Sequence, residues 1–233
     1  MQQRIAVALV GIGVLALGCG SNGTQATPTT AAPVTEAGLI GLLLSVDEIN
    51  TAMGATEMSV SREMKDMDDA STLVSRPECL PIYGPADARV YVGSGWAAVD
   101  SQNLSDPARN HVALQSVVLF PAPEQAAAFF TASSESWRAC SNDSFMHTMT
   151  GGREVWDVGA TSERNGVLST DVRIHREVYD VPADQQRGDL TGQRVLTVRN
   201  NVVVDVSAFS ATGNDQAGVN IAAQIAGKVP AAR

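Results

Sequence analysis

The residues best placed to do chemistry are three cysteines (19, 79 and 140), three histidines (111, 147 and 175) and Ser94, set between Gly93 and Gly95. Thiolates and imidazoles hold zinc when their spacing makes them converge, as in CxxC or HxxxH. These residues stand apart, so neither a metal site nor a cofactor is expected. His111 and His175 fall in strand-like patterns and His147 in a loop. Each reads as a surface or internally satisfied residue, with a pH-sensing role chemically open. A hydrolase needs a nucleophile, a base and an orienting group, yet the chain has no Gly-x-Ser-x-Gly, no His-Glu-x-x-His and no carboxylate pair in a recognisable frame. The glycines around Ser94 suit a strand bulge better than a strand-to-helix elbow. No catalytic residue is assigned. The Gly227-Lys228 pair closes a helix and does not open one, so it does not form a phosphate cradle.

Cys19 belongs to a different chemistry. Arg4 and the α-amine supply a positive start, and the uncharged apolar run from Ile5 to Leu17 has the length of a signal sequence. About 13 residues at 1.5 Å each reach roughly 20 Å against a hydrocarbon core of about 30 Å, a poor fit to a permanent span. The run closes in Ala16-Leu17-Gly18-Cys19. This is similar to the bacterial lipobox, with Ala16 where leucine or valine is usual. Residues 1–18 are therefore expected to be a lipoprotein signal peptide, and Cys19 the acylated first residue of an exported protein anchored on the outer side of the cell membrane. The competing reading is a plain secretory signal, with Cys19 incidental. Residues 19–36 read as the lipidated cysteine and a tether, because Gly20 to Pro33 carries no charge and little to bury. Such a segment spans roughly 20 Å as a flexible coil.

With Cys19 assigned to lipid, Cys79 and Cys140 remain, and two cysteines in an exported domain are expected to pair. Two buried free thiols are the alternative. Residues 37–233 suffice for one domain with a substantial core. The chain carries 16 Lys and Arg against 25 Asp and Glu, and losing Arg4 with residues 1–18 leaves 15 against 25. Such an acidic surface is a poor partner for nucleic acid or anionic headgroups, so the membrane link falls to the acyl chains.

The elements that must position these residues follow from local pattern. Ser45-Val46-Asp47-Glu48 is a capping box, predicting a helix over 46–53 stopped by Gly54. Residues 62–72 are charged and unpatterned and read as a solvated loop. Alternation at Val90, Val92, Trp96 and Ala98, and again over 111–120, predicts strands. Residues 124–140 then read at helical period, with Ala126, Phe130, Ser133, Trp137 and Cys140 on one side. Further strands are predicted at 154–161, 166–175, 191–199 and 201–208, with tight turns at Asn165-Gly166 and Asn200-Asn201. A last helix, capped by Asn214 or Asp215, buries Val219, Ala222, Ile225 and Val229 before Pro230. The fold class is α+β: an antiparallel sheet with packed flanking helices and one disulfide.

Several of these segments together resemble the PknH-like extracellular sensor domain, carried by a mycobacterial receptor kinase and by mycobacterial lipoproteins. They are Leu43-Leu44-Ser45-Val46-Asp47-Glu48-Ile49-Asn50, Cys79 with Gly84-Pro85-Ala86, Gly93-Ser94-Gly95-Trp96, Ser136-Trp137-Arg138-Ala139-Cys140, and Val198 to Val206. The resemblance implies an antiparallel sheet with a broad cleft, a Cys79–Cys140 disulfide, and a sensing or binding role outside the cytoplasm. It also implies a second disulfide, whose two positions here hold Gly192 and Phe209. The leading function is capture or sensing of a small molecule, lipid or glycan of the cell envelope. A protein-partner-binding accessory is the alternative, with a hydrolase behind both. Trp96, Arg199 and Asp205 are weak candidates for lining a ligand-binding face of the sheet.

Overall fold

The computed structural model describes residues 32–178 and 188–231. Nine strands form one sheet, antiparallel at every pairing: β1 (Ser59–Met64), β2 (Ala98–Ser105), β3 (His111–Leu119), β4 (Ser144–Met149), β5 (Gly152–Val158), β6 (Ser162–Arg164), β7 (Val167–Val178), β8 (Leu190–Arg199) and β9 (Val202–Ser210). Their spatial order is β1-β2-β3-β9-β8-β7-β5-β4, with β6 paired to β7 off this path. The chain thus builds the sheet inward from one edge, crosses to the other edge, and builds inward again until β9 closes against β3.

The helices are α1 (Val46–Met53), α2 (Leu80–Tyr83), α3 (Ala88–Tyr91), α4 (Pro123–Trp137) and α5 (Ala217–Lys228). They divide between the two faces, because strand side chains alternate and the central strands are buried on both sides. On one face Val118, Val203, Leu196 and Phe209 pack with α2, α3, α4 and the disulfide. On the other, Val117, Val195, Val204 and Val206 pack with α1 and α5.

The local signals hold where they are strongest. Both hydrogen bonds of the Ser45/Glu48 capping box form, and Gly54 ends α1 at a φ of 66° that favours glycine. Asn200 and Asn201 make the β8–β9 turn, with Arg199 opposite Val202 and Asn200 at positive φ. Cys79 and Cys140 are disulfide-bonded with Cα atoms 5.1 Å apart, joining the start of α2 to the end of α4. Closing a loop of this length stabilises the fold by up to about 4 kcal/mol in the chain-entropy picture.

Other expectations are corrected. Residues 88–91 form α3 and not a strand, because the Asp87 carboxylate accepts from the backbone N–H of Arg89 and Val90 and nucleates a turn. Residues 62–64 belong to β1 and not to a loop, since Arg62 to Met64 pair with Ser101 to Asn103. His147 lies within β4. The cap position of α5 is Gln216; Asn214 instead donates to the Ala52 carbonyl and ties α5 to α1. Ordered contacts begin before residue 37: Val34 exchanges two hydrogen bonds with the Asn201 side chain, and Asn200 donates to the Ala32 carbonyl.

Gly192 and Phe209 face each other across β8 and β9. A Cβ at Gly192 would stand 1.9 Å from the Ala208 carbonyl oxygen, so this close approach admits only glycine. Phe209 turns edge-on to Trp156, 5.3 Å between ring centroids, and fills core space there.

Candidate functional site

Strand alternation places Trp156, Ile174, Leu190 and Phe209 on the α2/α4 face of the sheet. They join Val112 and Leu114 as the apolar walls of a cleft of about 310 Å³. α2 closes one side with Tyr83 and Gly84. A second hollow of about 470 Å³ adjoins it, sharing Tyr83, Gly84, Asn103 and Leu114, and the two are called the first and second lobes. The lobes differ in charge. The first is edged by Arg109, Arg153 and Arg176 with Glu154 and Glu177, the second by Asp66, Asp68, Asp69 and Asp87 with Arg62.

A connected polar cluster stands in the wall of the first lobe. The β4–β5 register sets His147 opposite Glu154, and α2 brings Tyr83 over both. His147 Nδ1 lies 3.1 Å from Glu154 Oε2, and its Nε2 lies 2.9 Å from the Tyr83 hydroxyl. The Trp156 indole N–H donates to the same Glu154 oxygen at 3.1 Å. A carboxylate only accepts, so Nδ1 carries the proton toward Glu154; when the ring is neutral, Nε2 accepts from the Tyr83 hydroxyl. Burial by itself would raise the Glu154 carboxyl. The hydrogen bonds from His147 and Trp156, with the charges of His147 and Arg176, outweigh it and hold the group below the usual carboxylate range. Burial, reinforced by the charges of Glu154 and Asp87, pushes the Tyr83 phenol far above its ordinary value. Tyr83 therefore stays protonated. Ser207, fully buried in β9, also lines this lobe, and its hydroxyl has no hydrogen-bond partner among the described residues.

The three candidates from sequence do not converge on this cleft. Asp205 is buried under α3, paired with Arg194, and accepts from Ala86 N–H and the Tyr91 hydroxyl, both at 2.9 Å. Arg199 is exposed beside the β8–β9 turn and donates to the Val229 carbonyl at the end of α5. Trp96 packs half-buried in the loop before β2. His111 and His175 are engaged elsewhere, by Asp106 and by Asp157 with Asp189 respectively. The residues that sequence reasoning missed are Tyr83, His147, Glu154 and Ser207. One signal was available: a hairpin turn at Thr150-Gly151 places His147 across from Glu154.

On the opposite face, a wider and more open hollow of about 880 Å³ lies beside the N-terminal end of α5. Its buried Gln193 is satisfied internally, by Asp171 and by the Val219 N–H. Among the described residues no group of three or more His, Cys, Asp or Glu could hold a metal ion, and no helix is long and apolar enough to cross a membrane.

Comparison with known proteins agrees with this architecture. The family model described as the PknH-like extracellular domain matches residues 34–228. The serine/threonine-protein kinase PknH of Mycobacterium bovis is 32% identical over 199 residues, covering 84% of this chain and 32% of the kinase. PknH of Mycobacterium tuberculosis gives the same identity, with 30% of its length covered. The chain thus matches only about a third of each kinase. The crystal structure of the extracellular domain of PknH from Mycobacterium tuberculosis superposes with a TM-score of 0.73 at 29% identity, covering 84% of this chain and 97% of that one. With sequence, family model and fold in agreement, this chain belongs to the PknH-like extracellular domain family.

Proposed function

We propose that the chain is a lipid-anchored extracytoplasmic binding or sensing protein that holds a small amphipathic cell-envelope molecule in the groove beneath α2. Residues 1–18 act as the signal peptide, Cys19 carries the acyl chains, and the segment up to about residue 31 is the tether. The observation that carries the binding reading is the first lobe itself: aromatic and aliphatic walls on rigid strands, with one connected polar cluster at the side, the usual make-up of a small-ligand site. The relatives support an extracytoplasmic location, because the matching part of PknH is its extracellular domain.

Binding fits the cluster better than catalysis does. Tyr83, His147 and Glu154 are ordered like a nucleophile, a base and an orienting acid. An attacking phenol needs a lowered pKa, and here burial and a nearby carboxylate raise it. The cluster is built to fix a hydroxyl in place.

The test is native mass spectrometry of the processed protein released from envelope extract, before and after denaturation. A discrete adduct lost on denaturation supports a captured ligand. A clean unliganded mass across envelope lipid and glycan fractions shifts the reading to a protein partner. For the anchor, Cys19→Ala is expected to move the protein from the membrane fraction to the soluble one. Retention in the membrane fraction would overturn acylation there.

A further inference from the structure

We propose that the Glu154–His147–Tyr83 relay makes the first lobe a proton-coupled site for small amphipathic anions; this rests on the binding role of the cleft. The sign of the lobe supports an anionic head. Arg109 from the β2–β3 turn, Arg153 from β5 and Arg176 from β7 line it, against Glu154 from β5 and Glu177 from β7. Among the described residues that is three cations against two anions before His147 is counted, with Arg153 and Glu177 paired to each other, in a chain whose formal net charge is −9. A cationic, low-dielectric recess on an acidic protein concentrates anions locally. The second lobe, where Asp66, Asp68, Asp69 and Asp87 stand against Arg62, is net acidic among the described residues and repels them, so the head is directed to the His147 end.

The relay then couples this site to protons. The charged and titratable groups around His147 are Glu154 beside its Nδ1, Tyr83 on its Nε2, Arg176 near Glu154, and Asp87 near Tyr83. In the neutral state, Nε2 accepts the Tyr83 O–H, and the phenol can offer the cleft only oxygen lone pairs. These repel an anion. When Nε2 takes a proton from solvent, it becomes a donor to the Tyr83 oxygen, and the phenolic O–H rotates out to the ligand. Glu154 stays ionised throughout, so the added positive charge remains oriented. One proton gained at His147 thus changes the Tyr83 hydroxyl from acceptor to donor. Anion binding and proton uptake are therefore linked and strengthen each other.

Isothermal titration of the processed full chain with octyl sulfate and octyl glucoside, both far below their micelle concentrations, at pH 5.5 and 7.5 tests this. The two probes share a tail, and the sulfate keeps its charge throughout this range. Octyl sulfate is expected to bind more tightly at pH 5.5, approaching about tenfold per pH unit for one linked proton. Octyl glucoside affinity should not change. Repeating the titration at one pH in buffers of different ionisation enthalpy reads the proton uptake on the native protein, with no variant needed. His147→Gln should flatten the octyl sulfate slope, and Tyr83→Phe should weaken octyl sulfate. A pH-independent octyl sulfate affinity, or a slope that survives His147→Gln, overturns the relay while leaving the cleft reading intact. Failure of both probes at both pH values overturns the cleft reading and the relay with it.

Discussion

Two polar clusters sit on the same face of the sheet and use charge in opposite ways. Beneath α3, Arg194 and Asp205 are sealed from water. The guanidinium lies 5.0 Å from the centroid of the Trp137 ring and donates to the Gly84 and Val206 carbonyls, while Asp205 accepts from Ala86 and Tyr91. In the cleft, Tyr83, His147 and Glu154 form a comparable chain that remains open at one end. The closed cluster locks the α2–α3 segment onto β8 and β9. The open one has hydrogen-bonding capacity left for a ligand. The two differ in whether the chain of hydrogen bonds ends within the protein or at the cleft.

The largest effect should come from breaking the closed cluster. Asp205→Ala leaves a buried guanidinium without its counter-ion and is expected to cost about 3–5 kcal/mol in urea unfolding. Arg194→Met with Asp205→Leu should recover most of that loss, because two apolar side chains of similar size leave no charge behind. His147→Gln should cost no more than about 1.5 kcal/mol, since its site is partly solvated. Comparable losses for Asp205→Ala and His147→Gln would erase the distinction between the clusters. Next in size, replacing Cys79 and Cys140 together by serine should remove up to about 4 kcal/mol. The disulfide holds α2 against α4, so probe affinity in the cleft should fall as well.

The tyrosines sharpen the contrast at single-atom scale. Tyr91 stacks on Phe129 at 4.1 Å and its hydroxyl donates a hydrogen bond to Asp205, so Tyr91→Phe removes one of the two neutral donors to that carboxylate. The expected cost is about 1–3 kcal/mol, the penalty for a buried acceptor left short. Tyr83→Phe should cost under about 1 kcal/mol and act mainly on ligand affinity. Thermal unfolding of the two variants side by side reads the difference; the opposite order would show that the cleft cluster carries the architecture.

Much of the frame was legible in sequence, and the site was not, for a physical reason. The capping box at Ser45 and Glu48, the Asn200-Asn201 turn and the α4 face from Ala126 to Trp137 are set by neighbours within a few residues. Pairing of Cys79 with Cys140 followed from compartment and count. α3 was misread because the apolar spacing of Val90 and Val92 resembles a strand, while the residue that decides, Asp87, is itself held by the Ala70 N–H on a distant loop. The cleft cluster joins residues 64 and 7 positions apart, through a hairpin register and a one-turn helix folded over it. Only the hairpin half of that arrangement leaves a trace in local sequence. Arg199 and Asp205 lay on the right strands, but Asp205 was taken up by the closed cluster and Arg199 by the end of α5.

The smallest effect separates the clusters by pH. Glu154 is held below its ordinary value of 4.5 in the folded protein, chiefly against burial, by the His147 and Trp156 hydrogen bonds. A carboxyl depressed by folding adds stability that is complete above the unfolded value and is lost as pH falls through the folded one. Glu154→Gln removes this term, so the variant should lose about 1 kcal/mol at pH 7 and converge on the native protein at strongly acid pH. Asp106, Asp143 and Glu177 are also depressed and soften the native protein in acid, but they are common to both proteins. The difference between the two stability profiles therefore isolates Glu154. The same substitution leaves His147 without the anion that orients it, so the pH slope of octyl sulfate binding should shrink in parallel. A constant stability offset at every pH would mean that the Glu154 charge contributes only as a hydrogen-bond acceptor, and the relay would lose the ionised end that directs its proton toward Tyr83.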